Sequence, residues 1–299
     1  MVTINIEVNG KDISDDFRQF YTSLEIIDKD GTEADELNFT IVNLIKRPKY
    51  EDKIKVWIDG FFYGTFLVQS TTTNHLQELT IKATGTNFSG TLKVKKNRNF
   101  KNITLQKLIR NIAIENGLNH KIDFSNVFLI NLIQEKESDL HLLNRLAKEY
   151  DAIFNIKNNT LVFASRNKSL PLFTVNIQDC ISWEITHSDK KIYNSCVVSY
   201  RDTKNNRVIS HSIGNGEPTL KYTDTFKTEE EAILKATAKL QRANRGTKRG
   251  TLVKIGEYMS AGSKLNITDS TQDNGEYTIQ TVTTLTNQDG WTITVDFQN

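Results

Sequence analysis

The chain has 299 residues, enough for two or three domains with sizeable hydrophobic cores. Its 38 basic and 36 acidic residues leave a net charge of +2, which argues against a dedicated nucleic-acid binder. No run approaches the roughly 20 apolar residues of a membrane span, and the alternating first residues do not resemble a secretory signal.

Only two cysteines occur, Cys180 and Cys196, too few for a disulfide scaffold. We interpret both as reduced thiols of a protein made in the cytoplasm, with a bond between them as the alternative. Plentiful Thr, Asn, Ile and Val and only three prolines favour strands and polar turns.

Residues 1–92 are predicted to form a small antiparallel β-barrel. The segments VTINIEV, ELNFTIVN and HLQELTIKATG alternate between apolar and polar residues, and Leu76, Leu79 and Ile81 are expected core positions. Several short strands at this spacing are typical of a barrel or a sandwich.

A hairpin inside this region, IKVWIDGFFYGTFLVQS, has apolar residues on both faces. Asp59-Gly60 forms its turn and places Ile58 opposite Phe61. One predicted face carries Ile54, Val56, Ile58, Phe61, Tyr63 and Leu67. The other carries Lys55, Trp57, Phe62, Phe66 and Val68. An ordinary half-exposed hairpin is polar on one face, so this one is either enclosed in a large domain or meets another domain or chain.

Residues 93–178 are predicted to be a mixed α+β module. Thr104 can cap a helix with an apolar stripe that ends near Gly117, and a second helix begins near Ser138-Asp139. The segments AIFNI and TLVFASR follow as a hairpin.

Residues 179–299 return to strands and are predicted to form a second β-barrel with a helical insertion near 228–243. Thr228 begins a capping box, T-E-E-E, at the start of that helix. The final hairpin is apolar on one face only. That face carries Tyr277, Ile279, Trp291, Ile293, Val295 and Phe297.

The sequence contains only weak candidates for a chemical site, and we expect no cofactor, metal or catalytic residue. Cys196 with His187 could form a thiol dyad, but a cysteine inside an alternating strand favours a small buried hydrophobe. The acids Glu135, Glu137 and Asp139 suit the start of a helix better than paired hydrolytic acids.

Two further charged features are interpreted as solvated surface. The segment DKDGTEADE has its Gly in the wrong position for a calcium loop, which favours a solvated acidic turn. The basic runs 93–98 and 242–249 could contact phosphates or an acidic partner, but the balanced charge favours solvated faces.

Four segments resemble the baseplate hub proteins of contractile phage tails, the late control protein D family, whose architecture is shared by the hub part of the VgrG spikes of type VI secretion. They are DKIKVWIDGFFYGTFLV, QEKESDLHLLNRLAKEYDAIFNIKNNTLVF, ISWEITHSDKKIYNSCVVSYRD and GEYTIQTVTTLTNQDGWTITVDF. In the second segment the matching positions are Gln134, Glu137, Ser138, Asp139, Leu143, Leu146, Ala147 and Phe163. Family members usually have Gly or Ala where this chain has Asp151.

The resemblance implies a non-enzymatic structural hub in the virion tail baseplate, assembled in the host cytoplasm. It implies a homotrimer whose six barrels form a pseudo-sixfold ring between the hexameric tail tube and the trimeric spike. Expected partners are the tail tube and central spike proteins, with the tape measure and other baseplate proteins as further candidates. We expect no specific nucleic acid and no membrane insertion, and we expect the needle and any lytic domain on separate chains.

The second face of the hairpin is the predicted interface, covered by a neighbouring barrel or by the mixed module. Its residues are Lys55, Trp57, Phe62 and Phe66. Alternative functions are a distal tail protein of a long-tailed phage, a wall-degrading hub, and a carbohydrate-binding module that would use Trp57 and Trp291.

Overall fold

A computed structural model describes residues 2–31, 33–42, 47–85, 90–166, 171–189, 191–202, 207–224, 226 and 228–299. The helices are α1 (Ser14–Phe20), α2 (Gly90–Lys93), α3 (Leu105–Glu115), α4 (Asp139–Tyr150) and α5 (Glu229–Asn244), with a 3₁₀ turn at Ile177–Asp179. The strands of the first half are β1 (Ile4–Val8), β2 (Lys11–Asp12), β3 (Tyr21–Lys29), β4 (Glu36–Val42), β5 (Lys53–Ile58), β6 (Phe61–Thr73), β7 (Glu78–Thr84), β8 (Lys95–Thr104), β9 (Asn119–Asp123) and β10 (Phe128–Ser138). Those of the second half are β11 (Ala152–Lys157), β12 (Thr160–Ser165), β13 (Leu172–Asn176), β14 (Ser182–His187), β15 (Ser195–Asp202), β16 (Arg207–Gly214), β17 (Thr219–Thr223), β18 (Lys248–Ile255), β19 (Lys264–Thr268), β20 (Gly275–Asn287) and β21 (Gly290–Gln298).

Strands from both ends of the chain form one 13-stranded sheet. Its main order is β14-β18-β21-β20-β3-β4-β7-β6-β5-β1-β2, and β19 joins it through β20 and carries β13. The link between the two halves is the antiparallel pair β20–β3, in which Thr284 lies opposite Ile26. The fold class predicted from the sequence, mainly β with a mixed α+β module, is confirmed. Among the described residues the paired strands form an open path. No strand pairing among these residues closes either half of the sheet into a barrel.

The first strand module has a core built from alternating strand positions. Leu79 and Ile81 lie in it as predicted, each 2% exposed. Leu76 is 63% exposed, which corrects its predicted place in the core. The reason is local, because residue 76 precedes β7 in a turn whose backbone is held by Asn74 rather than by a strand partner.

The mixed module encloses its own core between α3, α4 and the three-stranded sheet β11-β12-β9. Both predicted helix starts are confirmed, because Thr104 accepts from the N–H of Lys107 and Ser138 from the N–H of His141. The antiparallel ribbon β8–β10 packs against the same core through its inward-facing apolar side chains.

The C-terminal third contains two separate cores. One lies beneath the sheet strands and includes the predicted apolar face of the final hairpin. The other belongs to β15–β17 and α5 and contains Cys196 and Val198. Thr228 caps α5 by accepting from the N–H of Glu231, so the predicted start of this helix is confirmed. The domain boundaries at residues 92 and 178 stay predictions.

Candidate interaction surface

The hairpin β5–β6 has a β-bulge that the sequence pattern does not reveal. Ile58 lies opposite Phe61 as predicted, and Trp57 opposite Phe62, but Val56 then lies opposite Gly64. Tyr63 is therefore an extra residue, and every later position of β6 changes face. This corrects the predicted face of Phe66, which lies opposite Ile54 and is only 1% exposed in the core.

The remaining residues of the predicted interface stay together on the outer face, which we call the hairpin surface (Lys55, Trp57 and Phe62). The rings of Trp57 and Phe62 lie 5.1 Å apart, and Phe62 is 37% exposed. Lys55 is held by Glu7 on the adjacent strand at 2.7 Å. The surface therefore combines a preformed aromatic pair with a fixed charge pair, and its role as an interface stays a prediction.

The tip of the same hairpin contacts the C-terminal part of the chain. Phe61 stacks on Tyr258 with ring centroids 5.0 Å apart, and Tyr63 meets the edge of the same ring at 5.4 Å. Phe61 and Tyr63 thus pack on a residue of the same chain, whereas Trp57 and Phe62 of the hairpin surface pack on each other.

The segment that resembles hub proteins most closely contains a buried charged network. Asp139 is 0% exposed and accepts from Lys96 at 2.6 Å and from Arg98. Gln134, which is 1% exposed, and Asn116 donate to the same carboxylate at 3.0 and 3.2 Å. Burial works to raise the pKa of Asp139, but these hydrogen bonds and the charge of Arg98 hold it below its usual value.

This network explains two features of the sequence in structural terms. The acids of the segment do not form a pair of catalytic carboxylates. Asp139 is enclosed by its hydrogen-bond partners, and Glu137 forms an ion pair with Arg145 at 2.8 Å. Part of the basic run 93–98 is likewise not a solvated face, because Lys96 and Arg98 turn inward to Asp139.

Asp151, the departure from the family pattern, ends α4 in a left-handed conformation with φ 51° and ψ 42°. Glycine adopts that conformation without strain, and aspartate is one of the few other residues that tolerate it. Here the carboxylate also receives both terminal nitrogens of Arg245, at 2.8 and 2.5 Å. A residue of the second basic run is therefore bound to the mixed module.

A second charged cluster, the junction cluster (Asp28, Asp35 and Lys157), connects all three parts of the chain. Lys157 at the end of β11 pairs with Asp28 on β3 and lies 3.9 Å from Asp35. The N–H of Ala261, from the C-terminal part, donates to Asp28 at 2.9 Å. The side chains of Asp28 and Asp35 are 18% and 14% exposed, which corrects the interpretation of the segment as a solvated acidic turn at these two acids.

The junction cluster predicts an unusual dependence of stability on pH. Burial, and secondarily the charge of Asp28, raise the pKa of Asp35 from 3.8 to about 7 against the opposing charge of Lys157. Between these two values the folded chain therefore binds more protons than the unfolded chain. The contribution of Asp35 to the free energy of unfolding consequently falls as the pH rises through that window.

When the pH is raised from about 5 to about 8, we expect the free energy of unfolding of Asp35→Asn to rise by about 1–3 kcal/mol relative to that of the parent. Urea unfolding at both pH values measures this difference. Asp15→Asn is the matched control, because the Asp15 side chain is 96% exposed. Parallel pH profiles of the parent and Asp35→Asn would contradict the assignment.

The thiol candidate does not form an accessible nucleophile. Cys196 is 0% exposed in a strand core, where burial raises the pKa of its thiol. His187 instead pairs with Asp273 at 2.6 Å. Cys180 and Cys196 are both free thiols. Within the described ranges, no group of three or more His, Cys, Asp or Glu residues could hold a metal, and no helix is long and apolar enough to cross a membrane.

Comparison with known proteins gives two related findings. The sequence is 23% identical over 219 residues to the probable baseplate hub protein of Escherichia phage 186, covering 67% of this chain and 56% of that protein. The corresponding protein of Escherichia phage P2 is 23% identical over 215 residues, covering 66% and 56%. The chain thus spans about half the length of the curated relatives it matches. No family model matches it.

The fold is similar to that of solved tail proteins. The 43 kDa tail protein of prophage MuSo2 from Shewanella oneidensis superposes with a TM-score of 0.75 at 14% identity, covering 99% of this chain and 98% of that one. A type VI secretion component from E. coli, described as similar to the T4 tail proteins gp27 and gp5, gives a TM-score of 0.63 at 10% identity, covering 98% and 76%. The resemblance drawn from the motifs is therefore confirmed: this chain is similar in sequence to phage baseplate hub proteins and has the fold of phage tail proteins.

Proposed function

We propose that the chain is a structural subunit of the baseplate hub of a contractile phage tail or a related injection machine. The observation that carries the proposal is the sequence similarity to two baseplate hub proteins over about two thirds of this chain. The charged residues support a structural role, because the buried Asp139 and the half-buried Asp28 are engaged by cations of the same chain. The proposed role is non-catalytic.

In the proposed assembly three copies form a ring with pseudo-sixfold symmetry. Each copy contributes two strand modules, and the sheet pairing β20–β3 supports the idea that the two modules of one copy have a fixed relative orientation. Such a ring would present matching sites to the hexameric tail tube on one side and a threefold base to the trimeric spike on the other. The assembly would form in the host cytoplasm and reside in the virion tail.

Light scattering of the purified chain tests the assembly. The expected mass is three times the 34.1 kDa of one chain. If the chain alone is a monomer, the measurement is repeated with the spike protein. A monomer in both samples would refute the trimer.

The hairpin surface is the proposed contact between copies, since Trp57 and Phe62 form a preformed aromatic pair at the surface. We expect Phe62→Gln to convert the trimer to a monomer while leaving the melting temperature of the chain nearly unchanged. The measurement is the mass in solution together with a thermal melt.

Ile133→Gln is the matched control, because Ile133 is an exposed apolar residue, 55% exposed, on the ribbon of the mixed module. A trimer that survives Phe62→Gln would place the contact elsewhere and leave the hub proposal intact. Loss of the trimer in both variants would mean that the contact is not specific to the hairpin surface.

A further inference from the structure

A groove with basic walls lies where α4 packs beside α5. Its cavity volume is about 250 Å³. We call it the basic groove, and its basic residues are His141, Arg145 and Lys148 on α4 and Lys235, Lys239 and Arg242 on α5. On each helix these residues recur three, four or seven positions apart, so each set forms one stripe about 10 Å long. Two basic stripes therefore face each other across the groove.

The groove contains far more positive than negative charge. The one carboxylate among its lining residues is Glu149, and it is already shared between Arg145 at 3.2 Å and Lys235 at 3.0 Å. In the part of the chain that the structure describes, neither Lys148 nor Lys239 has a carboxylate within ion-pair distance. Lys148 and Lys239 are thus two lysines of the groove whose charge is not neutralised by a carboxylate of the described residues.

Contacts within the walls of the groove fix the positions of two of its basic side chains. Arg242 donates to the backbone carbonyl of Lys148 at 2.9 Å, which ties the C-terminal end of α4 to α5. Lys239 lies 3.9 Å above the ring of Tyr222, which fixes the position of its ammonium group. The cations are therefore arranged before any partner binds, which reduces the entropy cost of binding.

We propose that the basic groove binds an acidic segment of a partner protein through two or more side-chain carboxylates. The way the groove holds its own Glu149 shows that its cations are spaced for a carboxylate bridged from two sides. A single-stranded nucleic acid would need an open aromatic face for base stacking, and Lys239 covers the ring of Tyr222. The proposal rests on the groove alone and is independent of the hub role.

The test is fluorescence anisotropy of the full chain with a labelled short polyglutamate peptide at low ionic strength. A polyglutamine peptide with the same label controls for the dye. We expect saturable binding of polyglutamate that weakens as salt is added. The double variant Lys148→Gln with Lys239→Gln should weaken binding by roughly tenfold, because it removes the charges of both unpaired lysines and leaves the Arg242 contact in place.

The matched control is the double variant Lys107→Gln with Lys121→Gln, which removes the same charge from exposed positions outside the groove. Thermal melts establish that both double variants are folded. Unchanged binding in the groove variant, or equal loss in both variants, would overturn the proposal. A labelled oligothymidylate that binds more tightly than polyglutamate, and loses binding only in the groove variant, would overturn it in favour of nucleic acid.

Discussion

Asp139→Ala is expected to lower the free energy of unfolding by about 2–4 kcal/mol, because it removes the centre of a buried charged network. Asp139 is fully buried, and its loss leaves Lys96 and Arg98 with only the half-exposed carboxylate of Glu115. It also removes one of the two acceptors for the buried side-chain amide of Gln134. Denaturant unfolding of the purified chain measures the change.

Two control variants separate charge from shape. Asp139→Asn keeps the volume and one acceptor, so we expect a smaller loss of about 1–2 kcal/mol. Asp15→Ala removes an acid from an exposed pair with Arg18, which should change stability by at most about 1 kcal/mol. If Asp139→Ala costs no more than Asp15→Ala, the network does not stabilise the module. The motif shared with hub proteins would then need another explanation.

Gly31→Ala is expected to cost about 3 kcal/mol or more, because a methyl group at this position has no space. Gly31 has φ +116°, and an added Cβ would lie 1.9 Å from the carbonyl oxygen of Phe154. That oxygen belongs to the backbone of β11, so relief of the clash requires the first strand module and the mixed module to separate. Chemical denaturation measures the stability, and hydrogen exchange across β11 locates the separation.

Gly10→Ala is the matched control for the backbone conformation. Gly10 has φ +85°, and an added Cβ there would meet no atom within 4 Å. Its substitution therefore carries only the cost of the left-handed conformation, about 1 kcal/mol. Equal losses at Gly10 and Gly31 would show that the contact between the turn and β11 is not tight in solution.

Together these variants test the feature that a hub subunit would need most, a fixed relation between its parts. Besides the β20–β3 pairing, the contacts between the parts include the junction cluster around Lys157, the approach of Gly31 to Phe154, and the pair of Arg245 with Asp151. Each joins residues that lie far apart in the sequence.

The sequence by itself determined the features of this chain that depend on interactions between residues a few positions apart. Helix starts at Thr104, Ser138 and Thr228 follow from side chains that accept hydrogen bonds from the first free backbone N–H groups. The turn at Asp59-Gly60 and the buried face of the final hairpin follow from residue preferences over a few positions. These signals act within one turn or one strand, so they can be identified without the rest of the fold.

Only the tertiary structure decided how the parts meet and which charges are buried. The bulge at Tyr63 moved Phe66 into the core, because one extra residue reverses the faces of a strand and leaves no periodic mark in the sequence. The sequence indicates only separate surface charges at two pairs that the fold brings together. These pairs are Asp35 with Lys157 and Asp151 with Arg245. Their burial depends on contacts over long sequence separations, and neither composition nor spacing carries that information.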